Sequence, residues 1–556
     1  MSAKESPIEE DLLPFSFPIN IQHVLLHLKQ DLRDDWFFDT LGYTDLLSNK
    51  NELRRVISDI LHHGNGQYLS GNKSIHDIPK SSLGLRYSVE TDFYDRFIYQ
   101  AICTYLIKFF DPQISNRVLS HRFEPHPIKT KYLFKHRITL WQNFEGITKA
   151  GLKKQGALLV TDLLNYYENI TVKQVISSLV EKIPFLDADG HEKLSIRNAI
   201  TSLESLLKKW CYTESFGLPQ NRDTSSFLSN VVLTQVDKAM IEKGYDYYRY
   251  VDDIRIVCKD KNLAKRALSD LIQELRKLNL NINSSKTIIL TKSSSDEDIN
   301  SCFPTFDDRT SVIDNMWKSR SKRVITRSIP VLNALISELI KHNKTQSRQF
   351  RFCINRLRSI AEAGIFDYQQ LITPNLTKAL IQQLAEQPAS TDQFCKIVAG
   401  LTPDHEIFQR VEDFLKNTEI SINSWQNYCL WMSLAGAAYK SDSLAEFAKS
   451  KILSHTHDAE IPAIFIYIAR INKEELLEPL IEQFNADWPY KHQRHFLIAS
   501  QGLSNETLRP LRTKLSPRLE LTVKRIRENT KITDKTYHQP KFGDVTEIYD
   551  NINPYD

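Results

Sequence analysis

Residues 247–260 read YYRYVDDIRIVCKD and place two adjacent aspartates between runs of aromatic and β-branched residues. This composition predicts two short strands joined by a tight turn rather than a solvated loop. In such a hairpin the carboxylates of Asp252 and Asp253 project from one point. Two close anions repel each other and raise each other's pKa, so the pair usually needs a compensating cation.

Asp-Asp pairs also form ordinary turns. Two further pairs, at residues 34–35 and 307–308, lie in less informative surroundings. Aspartate is a frequent turn residue because its side chain bonds to the nearby backbone. For an isolated pair a turn is therefore the more frequent explanation, and a metal site needs support from other segments.

A third carboxylate comes from residues 156–170, GALLVTDLLNYYENI, where an apolar run typical of a buried strand ends at Asp162. A charge in that position is costly unless something compensates it. Asp162, Asp252 and Asp253 together would supply enough oxygen ligands to hold two Mg²⁺ ions. Paired metals can stabilise the attacking and the leaving oxygen of an in-line phosphoryl displacement.

The composition is that of a globular protein with more than one domain. The chain has 556 residues, 41% of them hydrophobic and 25% charged, so two or three packed domains are expected. Apolar runs of about eighteen residues do not occur, and the acidic first residues lack an apolar signal core. We therefore expect a cytoplasmic protein without a membrane partner.

Cysteine spacing and net charge give only general information about function. The seven cysteines are dispersed without CxxC spacing, which favours reduced thiols and argues against a zinc module or a disulfide framework. The net charge of +4 permits a nucleic-acid partner without demonstrating one, because the location of charge matters more than its sum.

The pattern of predicted secondary structure changes near residue 300. Before that point, strand-like runs alternate with helical patterns; from about residue 311 to 529, successive amphipathic helices follow one another almost without strand signals. This pattern predicts a solenoid-like stack of antiparallel helix pairs, although no sequence period is evident. Residues 534–556 are polar and poor in apolar side chains, so we expect an extended tail.

One more segment precedes the Asp-Asp pair. Residues 217–237 begin GLPQNRDTSSFLSN, a tight turn followed by a helix start rich in small polar residues. Such a turn permits close approach of the backbone to a flat ligand. Taken alone, it is equally a loop that leads into a helix.

In this order, the segments resemble the motifs of reverse transcriptases. TDLLNYY resembles the palm motif with the first metal-binding aspartate, GLPQNRDTSSFLSN the template-positioning motif, YVDD the second metal motif, and LNINSSKT the motif that follows it. Upstream, IPKSSLGLRYSVETDFYDRFIYQA is similar to the fingers segment. The resemblance spans roughly residues 75 to 290.

The resemblance implies a role for each matching residue. Asp162, Asp252 and Asp253 would be the catalytic metal ligands for two Mg²⁺ ions, and Tyr167 would be an aromatic gate against the ribose 2′-hydroxyl, implying a preference for dNTPs. The other expected nucleotide-binding residues are Lys80, Arg86, Gln220 and Lys286. Asn221 departs from the family pattern, which has glycine there, and adds a side chain beside the expected template or nucleotide.

The helical second half is most similar to that of bacterial abortive-infection reverse transcriptases, which act in anti-phage defence. The lead-in DDWFFDTLGYTDLL points the same way. Some members of that group use a protein hydroxyl as primer, assemble as oligomers or depend on a small non-coding RNA. Under protein priming, the candidate primers here are Tyr43, Tyr537, Tyr549 and Tyr555, although most tyrosines are packing residues.

Basic residues cluster at the start of the helical half, in WKSRSKRVITRS and KHNKTQSRQFRFCINRLRS. Phe350 and Phe352 interleave with the second cluster, a pattern suited to stacking bases beside neutralised phosphates. A solvated helix face is the alternative. The nucleic-acid-binding candidates are Arg320, Lys322, Arg323, Arg351 and Arg356.

These observations predict an α+β right-hand polymerase domain, with palm and fingers, followed by an all-α HEAT-like helical-repeat domain. The expected division is an N-terminal helical lead-in at 1–74, fingers and palm at 75–300, a helical, thumb-like domain at 311–530 and a tail at 531–556. The predicted function is RNA-directed or template-independent DNA synthesis from dNTPs, with an RNA template or non-coding RNA as partner and DNA as product. A retron- or intron-type enzyme that copies a dedicated RNA and a non-catalytic nucleic-acid-binding scaffold are the alternatives.

Overall fold

The computed structural model describes residues 12–13, 15–33, 35–62, 68–80, 84–130, 132–213, 215–303, 308–319, 321–362, 374–398, 401 and 405–528. Eight strands lie within these residues: β1 (Leu12–Leu13), β2 (Ile19–Asn20), β3 (Ser74–Pro79), β4 (Leu85–Glu90), β5 (Ala157–Thr161), β6 (Asp246–Tyr250), β7 (Asp253–Cys258) and β8 (Ile288–Thr291).

Twelve α-helices lie among the described residues up to Cys302. They are α1 (Ile21–Arg33), α2 (Thr44–Leu47), α3 (Lys50–His62), α4 (Phe93–Phe110), α5 (Pro127–Thr130), α6 (Arg137–Gln155), α7 (Tyr166–Asn169), α8 (Val172–Val180), α9 (Gly190–Trp210), α10 (Asp223–Glu242), α11 (Lys261–Arg276) and α12 (Asp296–Cys302).

From residue 308 onward the described residues form helices and their connections, without a strand. The helices are α13 (Asp308–Trp317), α14 (Lys322–Arg327), α15 (Ile329–Lys341), α16 (Arg348–Glu362), α17 (Pro374–Glu386), α18 (Thr391–Val398), α19 (Glu406–Lys416), α20 (Ser424–Ala437), α21 (Asp442–Ser454), α22 (Ile461–Arg470), α23 (Tyr490–Ala499) and α24 (Glu520–Glu528). Within the described part of the chain, no helix is both long and apolar enough to cross a membrane.

A four-stranded antiparallel sheet with the order β6-β7-β5-β8 carries the predicted carboxylates. The expected hairpin is present, since β6 pairs with β7 and Tyr250 lies opposite Asp253. In the neighbouring pair, Thr161 of β5 lies opposite Ile254 of β7. Asp162 therefore follows its strand at the same edge of the sheet as the Asp-Asp turn.

Both faces of this sheet are covered. Leu158 and Val257 pack with Leu152 of α6 on one face, while side chains on the other face join the main core beside α10 and α11. Helix α6 approaches closely because residue 151 is glycine: a Cβ there would lie 2.6 Å from Cγ2 of Val257. Such burial on two sides explains the nearly continuous apolar sequence of β5.

The helical region is all-α as expected, but a HEAT-like repeat is not confirmed. Neighbouring helices do pack in pairs, such as α15 with α16 and α22 with α23. The later connections, however, are irregular 3₁₀ segments at Glu474–Leu480, Ser500–Gly502 and Arg509–Thr513. The later helices are therefore not stacked as regular repeats of one helical unit.

The helical region also folds back onto the beginning of the chain. Helix α20 packs against β3 of the separate β3–β4 hairpin. Arg494 is fully buried and ion-paired to Asp39 and Asp45 of the lead-in. Arg518 pairs with Asp92 at the start of α4. The lead-in, the β3–β4 hairpin and the helical region therefore share extensive contacts.

Candidate active site

The hairpin turn that presents the aspartates has an unusual backbone. Val251 has φ +55°, a left-handed conformation that β-branched residues rarely adopt. Two hydrogen bonds hold it: its N–H donates to Ser120 Oγ at 2.8 Å, and its carbonyl accepts from Arg249 Nη1 at 2.9 Å. A strained turn of this kind persists when its surroundings determine it, and such turns are frequent at functional sites.

Arg249 anchors this turn from inside the protein. Its side chain is fully buried and donates two hydrogen bonds to the Asp237 carboxylate, at 2.8 and 2.7 Å. A further bond of 2.7 Å reaches Asn230 Oδ1. The sequence motifs did not identify this group. The one available signal was an arginine within the otherwise apolar and aromatic run before the Asp-Asp pair.

The Asp162 carboxylate has one oxygen paired with a lysine and one without a partner. Its side chain is buried, and its Oδ1 atom has no hydrogen-bond partner. Its Oδ2 atom accepts a hydrogen bond from the ammonium of Lys286. Buried oxygens normally have a partner, so an orphaned carboxylate oxygen is consistent with a metal ligand.

Burial raises the pKa of Asp252, and the nearby charge of Asp162 adds to this effect. Burial and the charge of Asp252 raise the pKa of Asp253 to about 7. Neighbouring carboxylates whose negative charges repel each other in this way favour a bound cation. Hard oxygen ligands of this type fit Mg²⁺.

As the side chains stand, no group of three His, Cys, Asp or Glu residues in the described ranges is spaced to hold a metal ion together. The Lys286 ammonium instead supplies positive charge to the carboxylates. Although partial burial opposes it, the hydrogen bond to Asp162 raises the pKa of Lys286. A metal ion would therefore require a rearrangement of these side chains.

A cleft of about 390 Å³ lies in front of Asp252 and Asp253. It brings Arg86, Tyr167 and Gln220 together with these two aspartates. The predicted site residues Asp162, Lys80 and Lys286 are not among the residues that line it. The remaining lining residues are Asp31, Trp36, His121, Arg137, Trp141, Asn221, Arg222, Asp223, Ser226, Tyr250 and Val251.

The GLPQ loop forms one wall of the cleft by docking on the segment around Tyr167. The Leu218 N–H donates to the Tyr167 carbonyl at 2.9 Å, while the Tyr167 hydroxyl lies 2.8 Å from Ser226 Oγ. Gln220 Nε2 donates to Glu168 Oε1 at 3.2 Å. Tyr167 and the GLPQ loop are thus one packed unit.

Asn221 has a structural explanation for its departure from the family glycine. Its φ is +57°, in the left-handed region where glycine is favoured and where asparagine is among the best tolerated alternatives. The substitution therefore preserves the turn. It adds a polar side chain to the cleft wall.

The basic residues of the helical half divide into two groups. Burial lowers the pKa of Arg86, and the positive charge of the nearby Arg351 lowers it further. The N-terminal part of α16 is therefore near the cleft. Lys322 and Arg323 are exposed on α14, while Arg320 lies outside the described residues.

Arg356 and Phe350 do not have the expected surface positions. Arg356 is buried, pairs with Asp314 at 2.8 Å and lies over the rings of Trp317 and Phe352. Phe350 is fully buried in the core. These side chains are packed against protein, so neither is available to nucleic acid in this arrangement.

The proposed primer tyrosines are not accessible or fall outside the structure. Tyr43 is 3% exposed, its ring packs against Phe93, and Arg494 lies over it. Burial raises its pKa far above the usual value. The expectation that Tyr43 presents a hydroxyl to the palm is therefore incompatible with this structure. The candidates Tyr537, Tyr549 and Tyr555 lie outside the described residues.

Residues 103–352 match the family model described as reverse transcriptase (RNA-dependent DNA polymerase). The chain contains a reverse transcriptase domain. The four-stranded sheet with the aspartates is accordingly its palm, and the domain type is that of a nucleotidyltransferase. The match extends beyond the predicted palm boundary at 300 and includes α13 to α15 and the first residues of α16.

Two solved structures of telomerase show limited similarity. Telomerase from Candida albicans, in complex with a TWJ fragment of telomeric RNA, is 12% identical with a TM-score of 0.29; the match covers 68% of this chain and 65% of that chain. Apo telomerase from Candida tropicalis is 13% identical with a TM-score of 0.26, covering 75% and 74%. The present chain thus spans about two thirds of the Candida albicans chain. No curated protein matches it.

Proposed function

We propose that this protein is an RNA-directed DNA polymerase that adds dNTPs to a primer hydroxyl. The observation that carries the proposal is the meeting of Asp162, Asp252 and Asp253 at one edge of a reverse transcriptase palm, with an orphaned carboxylate oxygen on Asp162. These side chains are suited to hold two Mg²⁺ ions. When bound, the ions would stabilise charge on the attacking and leaving oxygens.

The protein's own side chains would bind and orient the nucleotide. Arg86 lines the cleft and offers a guanidinium to phosphate oxygens. Lys286 would contribute a second cation once it leaves Asp162. The Tyr167 ring, fixed by its hydroxyl contact to Ser226, would exclude a ribose 2′-hydroxyl. This arrangement supports dNTPs as substrates.

We also propose that the template is RNA and that the biological role is anti-phage defence. The reverse transcriptase match supports the template. The long helical region after the palm, together with the sequence resemblance, supports the defence role. Protein priming would have to use a hydroxyl other than that of Tyr43, because Tyr43 is buried.

Incorporation of labelled dNTPs by the purified full-length protein tests these proposals. The reaction contains Mg²⁺ and no added nucleic acid, and its product is divided between protease-treated and untreated lanes. A parallel sample of the protein is treated with ribonuclease before synthesis. Label that shifts on protease digestion indicates a protein primer, and loss after ribonuclease indicates a co-purified RNA template. Absence of label with both co-purified RNA and an added primer–template would contradict the polymerase function.

A further inference from the structure

Residues 35–39, here called the strap, connect the helical region to the active-site cleft. Side chains of the helical region donate hydrogen bonds to three successive strap carbonyls. Trp425 Nε1 donates to Trp36 at 2.9 Å, Tyr428 donates its hydroxyl to Phe38 at 2.6 Å, and the Lys491 ammonium donates to Phe37. The backbone of the strap is therefore positioned by the helical region.

Both ends of the strap are also fixed by buried ion pairs. At one end, Asp39 accepts two hydrogen bonds from the guanidinium of Arg494, at 2.6 and 3.0 Å. At the other end, Asp35 pairs with Arg96 of α4 and with Arg222, which lies next to the GLPQ loop. Buried ion pairs at Asp35 and Asp39 leave little freedom for the three residues between them.

Trp36 is the strap residue that reaches the cleft. Its half-buried ring is part of the cleft lining. The Arg86 guanidinium lies 5.9 Å from the ring centroid, within the range of a cation–π contact. Tyr167 and Asp252 line the same cleft. An arginine supported by an aromatic ring presents its planar fork in a defined orientation.

We propose that Trp36 is a positioning residue for the incoming nucleotide. It supports Arg86 in the orientation that receives the nucleotide, and the strap makes this orientation depend on the packing of the helical region. The inference rests on the proposed polymerase function and deepens it. It makes the helical region a determinant of nucleotide affinity rather than only a nucleic-acid-binding surface.

The test compares Trp36→Ala and Trp36→Phe with wild type in dNTP incorporation by the full-length protein. Loss of the aromatic support is expected to raise KM for dNTP about tenfold, while kcat changes much less. Phenylalanine keeps a ring beneath Arg86 and is expected to restore most of the affinity. A wild-type KM in Trp36→Ala would overturn the proposal, as would a loss of kcat alone.

A second pair of variants tests the link to the helical region. Trp425→Phe removes the hydrogen bond to the strap and is expected to raise KM about threefold to fivefold. Trp431→Phe is the matched control, because Trp431 lies on the same helix but donates to Glu460 at 3.0 Å. Equal KM values for these two variants would contradict the role of the strap.

Binding of a non-hydrolysable α,β-imido dNTP separates this inference from the polymerase function. The dissociation constant is measured by calorimetry with Mg²⁺ for wild type and Trp36→Ala, after circular dichroism has shown that both are folded. An increase of about tenfold in Trp36→Ala supports the inference even if no incorporation is seen. Equal constants would refute it, and failure of wild type alone to incorporate dNTPs would refute only the polymerase function.

Discussion

Replacement of Arg249 by methionine tests whether the buried ion pair holds the catalytic turn. Arg249 donates two hydrogen bonds to Asp237, one to Asn230 and one to the Val251 carbonyl. Methionine has a similar length but leaves the Asp237 carboxylate buried without its charge partner. Breaking a buried ion pair in this way costs about 3–5 kcal/mol of folding free energy.

Activity should fall as well, because the left-handed turn at Val251 loses one of its two hydrogen bonds. A second variant, Arg249→Met with Asp237→Asn, removes the unpaired charge. It is expected to recover part of the stability but not the activity, since the Val251 carbonyl still lacks its donor. Thermal unfolding followed by circular dichroism and Mg²⁺-dependent dNTP incorporation give the two readouts.

The outcomes are distinct. If stability and activity recover together in the double variant, the charge of Asp237 rather than the turn geometry controls activity, and the argument about Val251 is wrong. If Arg249→Met is as stable as wild type, the buried ion pair does not contribute the expected folding free energy. The exposed pair of Arg410 and Glu406 on α19 provides a control, because breaking a surface pair should cost at most about 1 kcal/mol.

Three further predictions use single substitutions. Arg356→Ala should lower the thermal stability, whereas Arg351→Ala should leave stability nearly unchanged and weaken binding of labelled RNA in a salt-dependent manner; the reverse pattern would contradict their positions. Asn221→Val should cost about 1–3 kcal/mol of stability because of its positive φ, while Asn221→Gly should be close to neutral, as thermal melts can show. In the metal-free protein the raised pKa of Asp253 makes its ionisation unfavourable in the folded state, so the contribution of Asp253 to stability should decrease as pH rises from about 4 to about 7; the melting temperature of wild type relative to that of Asp253→Asn should therefore fall across that range, and a constant difference would contradict the argument.

The palm could be predicted from the sequence because its signals are local. The aromatic and β-branched residues on both sides of the Asp-Asp pair predicted the β6–β7 hairpin, and the apolar run before Asp162 predicted β5. Their approach to one another depends on sheet register, which sequence composition does not specify. The family resemblance supplied that information, and the register agrees with it.

Other parts of the site depend on tertiary contacts that local patterns do not contain. Trp36 reaches the cleft because residues some 390 positions later bind its backbone. Arg356 occurs in a basic run that resembles a solvated face, yet a neighbouring carboxylate and two rings make its burial favourable. Tyr43 fails as a primer for the same reason, since core packing encloses its ring. Charge runs and isolated tyrosines therefore give weak predictions of exposure.

The most direct test of the polymerase function is incorporation of a labelled dNTP by wild type, Asp252→Asn and Asp246→Asn. Asp246 lies in the same hairpin but pairs with Arg117 away from the cleft. Loss of a metal-ligating carboxylate removes several kcal/mol of transition-state stabilisation, so Asp252→Asn should reduce the rate by on the order of a thousandfold. Asp246→Asn should retain a rate close to that of wild type. Equal incorporation by Asp252→Asn and wild type would contradict the assignment of the active site.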